Sequence, residues 1–194
     1  MISGIVLAGG ESKRMNSPKA LLTIKTETFA ESIVNKMKRS GVGPVRLVVG
    51  AHYNEIKGML EERLQADILL NEEHNSGQLS SLKVGLRNVP PATTGVLVWP
   101  VDLPLVMEQT AFRLIRAFIN DARAITIPAH NSRHGHPVMF GKAARDALLS
   151  LPDGQSARDI FPKFQKDTLI LEVNDPGILI DIDTPEDYAN YVLR

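Results

Sequence analysis

The sequence predicts an α/β fold, a single Rossmann-like three-layer α/β/α domain with a mostly parallel central sheet. Short apolar runs, each suited to a buried strand, alternate along the chain with amphipathic stretches of helical spacing. Polar or glycine-rich segments follow several of these runs directly, as is typical of the carboxyl ends of strands in open sheets. Right-handed crossovers between successive strands would then place helices on both faces of the sheet.

The first half of the chain contains four predicted strands and the helices that connect them. Gly9 and Gly10 end the first apolar run, residues 5–8. A helix is expected to begin at Thr28, because Thr28 and Glu31 have the spacing of a capping box. The further predicted strands are 45–49, 68–70 and 96–99, and further helices begin at Asn54 and Ser80.

The second half has shorter elements. A helix is predicted around residues 112–118, and strands are predicted at 124–127 and 137–140. Two more strands, 169–173 and 178–182, flank a turn and predict a hairpin or a tight return near the sheet edge. Thr184 and Pro185 predict the start of the last helix, because Thr is favoured at the N-cap and Pro at the first helical position. No linker or repeat interrupts the chain, so residues 1–194 are expected to form one domain.

Composition excludes several classes of protein. The chain has 22 Lys plus Arg against 22 Asp plus Glu, and this balance argues against a nucleic-acid partner. It has no cysteine, which excludes disulfides, thiolate metal sites and a cysteine nucleophile. No apolar run approaches the length of about 20 residues that a membrane span needs. The first residues lack the features of a signal peptide, so we expect a cytoplasmic protein without a membrane partner.

Residues 7–19, which we call the Gly-Gly loop, follow the first predicted strand. Adjacent glycines let the backbone approach a phosphate and point N–H groups at it. Arg14 offers a planar fork for two phosphate oxygens, and Lys19 adds a second positive charge. The loop is neither a Walker A motif nor a G-x-G-x-x-G motif. The residues expected to bind a nucleotide here are Leu7, Ala8, Gly9, Gly10, Arg14 and Lys19; a plain strand exit with solvated basic residues is the alternative.

Five segments in chain order carry a resemblance to one enzyme family. They are L-A-G-G-E-S-K-R-M-N-S-P-K from Leu7, G-Q-L-S-S-L from Gly77, V-D-L-P around Asp102, G-H-P-V from Gly135 and D-I-D-T-P-E-D from Asp181. Together they resemble the molybdenum cofactor nucleotidyltransferases, the MobA-like NTP transferases. Each segment is modest evidence alone, whereas five in family order across nearly the whole chain are specific.

The resemblance implies a fold of the nucleotide-diphospho-sugar transferase type and transfer of a nucleoside monophosphate from a nucleoside triphosphate, with release of pyrophosphate. It implies Mg²⁺ as cofactor, molybdopterin or molybdenum cofactor as the phosphorylated acceptor, and a molybdoenzyme as a partner. Two residues depart from the family pattern. Asn16 replaces a glycine but tolerates positive φ, and Val101 replaces a small residue without altering the carboxylate that follows it.

The choice between CTP and GTP rests on conflicting residues. Gly9 stands where the cytidylyl branch usually carries alanine and the guanylyl branch carries glycine, and the missing methyl group suits a purine. The segments at Ser80, Gly135 and Asp181 instead resemble the cytidylyl branch. Because three segments indicate ancestry better than one glycine does, we expect CTP to be favoured, with GTP a close second and weak discrimination.

Two carboxylates are candidate magnesium ligands. Asp102 follows the apolar strand 96–99, and Asp183 follows the predicted strand 178–182. Carboxylates at strand ends, opposite a phosphate-binding loop, suit Mg²⁺, which prefers oxygen ligands. Asp181 would lie on the same side of that strand and could reach the same ion. A helix cap beside Thr184 is the alternative role for Asp183.

Further polar residues are expected around the site. Asn71, Ser80 and Ser81 could bind the base or ribose, although an N-cap explains at least one of the serines. By resemblance, His136 borders the acceptor. His134 and His136 would share a strand face, which raises the alternative of a zinc site, but neither an H-E-x-x-H helix nor a second-sphere pattern supports it. His130 and His134 otherwise belong to a polar loop.

These residues define a mechanism and two alternative functions. We expect catalysis by Arg14, Lys19 and Asp102 through positioning and charge neutralisation, without a protein nucleophile. A sugar- or alditol-phosphate nucleotidylyltransferase of the same fold is one alternative. A non-catalytic nucleotide- or cofactor-binding accessory protein for a molybdoenzyme is the other, which the intact catalytic residues disfavour.

Overall fold

The computed structural model describes residues 1–15 and 17–193 of the chain. The strands are β1 (Ile2–Ala8), β2 (Thr23–Ile24), β3 (Glu27–Thr28), β4 (Val45–Val49), β5 (Asp67–Leu70), β6 (Gly95–Pro100), β7 (Ile125–His130), β8 (Arg133–His134), β9 (Val138–Gly141) and β10 (Thr168–Glu172). The α-helices are α1 (Phe29–Arg39), α2 (Tyr53–Leu60), α3 (Gln78–Arg87), α4 (Glu108–Asp121), α5 (Lys142–Ser150), α6 (Phe161–Phe164) and α7 (Pro185–Tyr191).

The main sheet has the strand order β10-β7-β9-β6-β1-β4-β5, and β8 pairs with β7 at its margin. Strand β1 lies between β4 and β6 and is parallel to both. The antiparallel exception on this path is β9, which separates β6 from β7. The prediction of a mostly parallel sheet is therefore confirmed. Among the described residues, no helix combines the length and the apolar character needed to cross a bilayer.

Helices cover both faces of the sheet, as the alternation of strands and helices predicts. One face packs against α1, α2, α4 and α7, and its core contains Val6 of β1. The other packs against α3, α5 and α6, and its core contains Ile5 and Leu7. Successive β1 residues thus enter opposite cores, because side chains alternate across a strand. The central strand is buried on both sides, and its carboxyl end leads into the Gly-Gly loop.

Capping residues fix the starts of α1 and α7. The Thr28 hydroxyl accepts from the Glu31 N–H, and the Glu31 carboxylate accepts from the Thr28 N–H at 2.8 Å. Thr184 and Asp187 form the same reciprocal pair at the start of α7. Both predicted helix starts are confirmed, since each pair satisfies N–H groups that have no partner within the helix.

The predicted strand 178–182, and with it the hairpin, is wrong. Residues Pro176–Leu179 form a 3₁₀ turn, and β10 pairs in parallel with β7 instead of with the following segment. The Asp175 side chain accepts from the Gly177 N–H at 3.0 Å, which stabilises a turn in competition with extended backbone. A Cβ at residue 177 would lie 2.7 Å from the Leu105 carbonyl oxygen, so this close contact requires glycine.

Candidate active site

A cleft of about 370 Å³ lies at the carboxyl ends of β1, β4, β5 and β6. Parallel strands direct these ends to one edge of the sheet, where ligands bind in open α/β folds. The lining residues of the Gly-Gly loop and of the carboxylate side are Leu7, Ala8, Gly9, Gly10, Ser12, Lys13, Arg14, Pro18, Lys19, Asp102 and Asp183. The cleft therefore brings together the predicted loop, both predicted metal ligands and Ser81.

Ser12 shapes the Gly-Gly loop. Its backbone is left-handed at φ 51°, and its carbonyl accepts from the Met15 N–H at 2.9 Å. The Ser12 hydroxyl also accepts from the Lys19 N–H at 3.2 Å, which connects the middle of the loop to its last residue. Asn16, which stands where the family pattern has glycine, lies outside the described residues.

Lys19 connects the loop to both carboxylates. Its ammonium group lies 3.3 Å from Asp102 Oδ2 and forms a second ion pair with Asp183. Arg14 donates to Asp183 at 2.7 Å. The hydrogen bond from Lys19, the Lys19 charge and the contacts with Arg14 lower the pKa of the Asp183 carboxyl below its ordinary value. Asp183 is therefore an anion held by two cations of the Gly-Gly loop.

Main-chain contacts bring Asp102 to this position. The Val101 N–H donates to the Leu7 carbonyl at 2.9 Å, which continues the pairing of β6 with β1 and brings Asp102 to the start of the Gly-Gly loop. The Ile182 N–H donates to the Asp102 carbonyl at 2.8 Å and places Asp183 beside it. The two carboxylates converge through this bond, although the strand expected before Asp183 is absent.

Asp181 cannot share a strand face with Asp183, since residues 180–182 are not a strand. Partial burial, followed by the charges of Asp102 and Asp183, raises the pKa of the Asp181 carboxyl. Its neighbours therefore oppose a third negative charge. Within the part of the chain that the structure describes, no group of three His, Asp or Glu residues could hold a metal ion.

The donor set still fits a divalent cation that retains water ligands. Asp102 and Asp183 both contact the single ammonium group of Lys19, so their oxygens converge on one positive charge. Two carboxylates with substrate phosphates are a typical protein contribution to a Mg²⁺ site. The zinc alternative has no such support, because His134 ends β8 and His136 lies beyond it.

Asn71 and the start of α3 form the opposite wall. The buried Asn71 amide donates to the Ser80 hydroxyl at 2.8 Å and to the Ser81 hydroxyl at 2.9 Å. Ser81 lines the cleft, whereas Ser80 donates to the Gly77 carbonyl at 2.8 Å. A Cβ on Gly9 would overlap the Ser81 hydroxyl. The Ser81 hydroxyl thus occupies the space beside Gly9 that the missing methyl group was expected to leave for a purine.

His52, His74 and Gln78 also line the cleft, and sequence reasoning missed all three. His52 Nε2 lies 3.1 Å from the Glu11 carbonyl oxygen, and His74 Nδ1 lies 3.3 Å from that of Asn71. His52 follows β4, and His74 follows β5. Ligands bind at the carboxyl ends of parallel strands, and all of these ends lie at one edge of the sheet. Applied to β4 and β5 as well as to β1, this rule would have found both histidines.

His136 lies behind the carboxylates rather than among the cleft-lining residues. Its N–H donates to the Ile178 carbonyl at 3.2 Å, and its buried Nδ1 has no hydrogen-bond partner within the described residues. Burial lowers the pKa of the imidazole, while the charge of Asp102 acts in the opposite direction. Burial therefore disfavours the charged imidazolium form of His136. His130 contacts the Val173 carbonyl at 3.0 Å, in keeping with a structural role.

Comparison with known proteins gives the family of this chain. The model of the MobA-like NTP transferase domain matches residues 4–168. The chain belongs to this family. It is therefore a nucleotidyltransferase, and the resemblance of its motifs is confirmed. The matched range contains the Gly-Gly loop and Asp102, and Asp183 lies beyond it.

Individual relatives of this MobA-like chain give a finer picture. Molybdenum cofactor cytidylyltransferase of Escherichia coli is 26% identical over 187 residues, which cover 96% of this chain and 93% of that protein. A probable molybdenum cofactor guanylyltransferase of Bacillus mycoides is 30% identical over 68% of this chain and 63% of its own length. The two relatives thus differ in the nucleotide that their names give.

Solved structures share the fold. Rv0371c of Mycobacterium tuberculosis has a TM-score of 0.84 at 24% identity and covers 100% of this chain and 99% of its own. A second structure of that protein, with a TM-score of 0.80 at 24% identity and coverage of 99% and 98%, is a complex with manganese. The fold is also shared with a nucleotidyl transferase from Methanothermobacter thermautotroptrophicus, which has a TM-score of 0.83 at 22% identity and coverage of 99% of this chain and 96% of its own.

Proposed function

We propose that this protein transfers CMP from CTP, with GTP as a weaker donor, to the phosphate of molybdopterin or molybdenum cofactor and releases pyrophosphate. The contact of Lys19 with both Asp102 and Asp183 carries the proposal. It joins a phosphate-binding loop to a pair of metal-binding carboxylates within one cleft. Both parts are needed for nucleotidyl transfer, whereas a protein that only binds nucleotide has no need of the paired carboxylates.

The Gly-Gly loop would hold the triphosphate. The amides of Gly9 and Gly10 and the guanidinium of Arg14 are suited to the β- and γ-phosphates. Lys19 would neutralise the charge that develops at the α-phosphate. Lys19 and Arg14 contact Asp183 in this structure. A triphosphate gives both cations an alternative anionic partner, so its entry would release the Asp183 carboxylate.

Asp102 and Asp183 would hold Mg²⁺ through carboxylate oxygens, as the convergence of these groups supports. Bound Mg²⁺ supplies neutralisation of phosphate charge, which is its common contribution to phosphoryl and nucleotidyl transfer. The protein residues themselves bind and orient the two substrates. The main-chain bond from Ile182 to Asp102, at 2.8 Å, keeps the two ligands at a fixed spacing.

The reaction needs no protein nucleophile. An oxygen of the acceptor phosphate forms a bond to the α-phosphorus, and the bond from that phosphorus to the bridging oxygen of the β-phosphate breaks. The electron pair leaves with pyrophosphate. Alignment of the acceptor, the α-phosphorus and the leaving group, together with charge neutralisation by Lys19 and Arg14, provides the rate enhancement.

The acceptor would approach from the side of Asp102 and His136. The unused Nδ1 of His136 supports a role in contacting the acceptor, because a buried polar atom without a partner is costly. Molybdopterin as the acceptor is supported by the 26% identity to the cytidylyltransferase over 93% of that enzyme. Delivery to a molybdoenzyme would follow from the same choice of acceptor.

Pyrophosphate release from CTP, GTP, ATP and UTP tests this function. Each nucleotide is combined with molybdopterin, with molybdenum cofactor and with a panel of sugar and alditol phosphates, in the presence of Mg²⁺. We expect release with CTP and, more slowly, with GTP, and only with the pterin acceptors. Release with a sugar phosphate alone would favour the alternative transferase, and nucleotide binding without any release would favour an accessory protein.

A further inference from the structure

The two carboxylates of the cleft are held by irregular backbone. We call residues 102–107 and 175–183 the carboxylate segments, because Asp102 begins the first and Asp183 ends the second. Neither contains a strand. Irregular backbone has no ladder of hydrogen bonds to fix its position, so other groups must satisfy its N–H and C=O groups. Two charged side chains supply these contacts from outside the cleft.

Lys36 of α1 holds the first segment. Its ammonium group donates to the Pro104 carbonyl at 2.6 Å and to the Val106 carbonyl at 3.0 Å. These carbonyls lie two and four residues after Asp102. Lys36 is partly buried and does not line the cleft.

Asp175 connects the second segment to the first. Its Oδ2 accepts from the Met107 N–H at 2.9 Å and from the Thr110 hydroxyl at 2.6 Å, while its Oδ1 accepts from the Gly177 N–H at 3.0 Å. Only 2% of Asp175 is exposed, so these donors replace its solvation. Asp175 thus fixes the end of one segment against the start of the other.

We propose that Lys36 and Asp175 are positioning residues that set the spacing between Asp102 and Asp183. The inference rests on the proposed function, in which these two carboxylates hold one metal ion. Lys36 fixes the backbone just after Asp102. Asp175 fixes the start of the segment that ends at Asp183. The bond from Ile182 to Asp102 then closes the connection at the cleft.

Lys83 offers a matched control. This lysine of α3 is buried, with 6% exposure, and its ammonium group donates to the Leu151 carbonyl at 2.6 Å and to Asp153 at 2.9 Å. It therefore makes the same kind of charged contact with a main-chain carbonyl, on the opposite face of the sheet. Lys83→Met should cost stability as Lys36→Met does, without reaching the carboxylate segments.

The experiment compares Lys36→Met and Lys83→Met in the full chain. Three quantities are measured: the unfolding temperature, the kcat and KM for pyrophosphate release, and the affinity for Mn²⁺ by electron paramagnetic resonance with CTP present and the acceptor absent. Both variants should unfold at lower temperature. Only Lys36→Met should lower kcat and Mn²⁺ affinity, by about 10–100-fold as for other residues that orient metal ligands, with little change in KM for CTP.

Two more variants keep the inference testable if Lys36→Met does not fold. Lys36→Arg retains donors for both carbonyls and should recover most of the Mn²⁺ affinity. Thr110→Val removes one donor to Asp175 with little change in shape, and should lower Mn²⁺ affinity in the same direction as Lys36→Met.

The inference is overturned if folded Lys36→Met and Thr110→Val bind Mn²⁺ as the wild type does, or if Lys83→Met loses Mn²⁺ affinity equally. It is also overturned if the wild type binds no Mn²⁺. A wild type that binds Mn²⁺ but releases no pyrophosphate with any acceptor refutes the proposed function alone, and the Mn²⁺ comparison still decides the role of Lys36.

Discussion

The two sides of the cleft are held in different ways. The side formed by the Gly-Gly loop and Ser81 is built on the ends of β1, β4 and β5 and on the start of α3. The other side is built on the carboxylate segments, which contain no strand and depend on charged side chains such as Lys36 and Asp175. The proposed phosphate-binding side thus starts from the ends of strands, whereas the proposed metal-binding side consists of segments that side chains hold in place.

This difference predicts different responses to mutation. Strand ends are positioned by many main-chain hydrogen bonds, so a substitution in the Gly-Gly loop removes one contact and leaves its neighbours in place. The carboxylate segments are positioned by a few contacts that share partners, so substitutions there should act on one another. Sites with strained or irregular backbone depend on such surroundings.

Asp102→Asn tests the carboxylate side directly and should have the largest effect. The amide keeps the side-chain volume and leaves the main-chain bond between Ile182 and Asp102 unchanged, so the fold should be retained. Loss of the charge should lower kcat at least about a hundredfold, as for removal of an electrostatic stabiliser. Pyrophosphate release measures the effect, with Asp153→Asn as a remote control. Near wild-type turnover with Mg²⁺ would show that Asp102 is not the metal ligand.

The pH dependence of stability tests the contact that Lys36 makes with the first carboxylate segment. Burial lowers the pKa of Lys36 to about 8, and the positive charge of Arg39 acts in the same direction. The negative charges of Asp175, Glu27 and Glu108 raise this pKa but do not outweigh burial. Between pH 8 and the ordinary pKa of lysine, the unfolded chain binds more protons at Lys36 than the folded protein does. The free energy of unfolding of the wild type therefore rises with pH in this range.

The free energy of unfolding of the wild type, relative to Lys36→Met, should therefore rise by about 2 kcal/mol from pH 8 to pH 10. Urea denaturation at a series of pH values measures the difference. The gain is absent below pH 8, where Lys36 is protonated in both states. Parallel curves for the two proteins would mean that Lys36 is not desolvated by this packing.

Arg14→Lys tests the Gly-Gly loop. Lysine retains the charge but loses the planar fork, so affinity for CTP should fall about tenfold, as for one charge-assisted hydrogen bond. Affinity for the acceptor should change little. Calorimetry measures both, with the exposed Arg133→Lys as the control. Equal weakening of CTP and acceptor binding would place Arg14 between the two substrates, consistent with its 2.7 Å contact with Asp183.

Mutations that alter the choice of base should have the smallest effects. CTP and GTP in direct competition should differ by less than about two hundredfold, since a methyl-sized difference in a pocket discriminates weakly between ligands. Gly9→Ala alone would displace the Ser81 hydroxyl and should weaken binding of both nucleotides. With Ser81→Ala also present, the new Cβ lies 3.4 Å from the Ser81 Cβ and fits.

The double variant Gly9→Ala/Ser81→Ala should shift the CTP-to-GTP ratio toward CTP by up to about tenfold, the lower range for one methyl-sized group. Competition assays on this variant and on Ser81→Ala alone separate the two contributions. An unchanged ratio, or a shift toward GTP, would show that residue 9 does not face the base.

Sequence reasoning succeeded where local chemistry determines the structure. The buried run before Gly9, the Thr28 capping box and the carboxylate after β6 are all read from neighbouring residues, and the structure places each as predicted. The same reasoning, applied to the ends of β4 and β5, would have included His52 and His74.

It failed where contacts made in the folded chain compete with the preference of the local apolar pattern. The apolar residues at 178–182 match a strand pattern, yet Asp175 and the tight contact of Gly177 with Leu105 favour a turn. Likewise, nothing near Lys36 in the sequence indicates its contact with Pro104, 68 residues away. Such contacts depend on the packing of α1 against the rest of the fold, which periodicity does not encode.

The span of the Asp183 ion pairs along the chain has a consequence for folding order. Asp183 meets Arg14 and Lys19 across separations of 169 and 164 residues. Closing so long a loop costs entropy that the ion pairs of a half-exposed group repay poorly, so the sheet must form before these pairs are stable. We therefore expect a partly folded chain to form its Gly-Gly loop before Asp183 reaches Arg14 and Lys19, so that the proposed site is completed only with the last tertiary contacts.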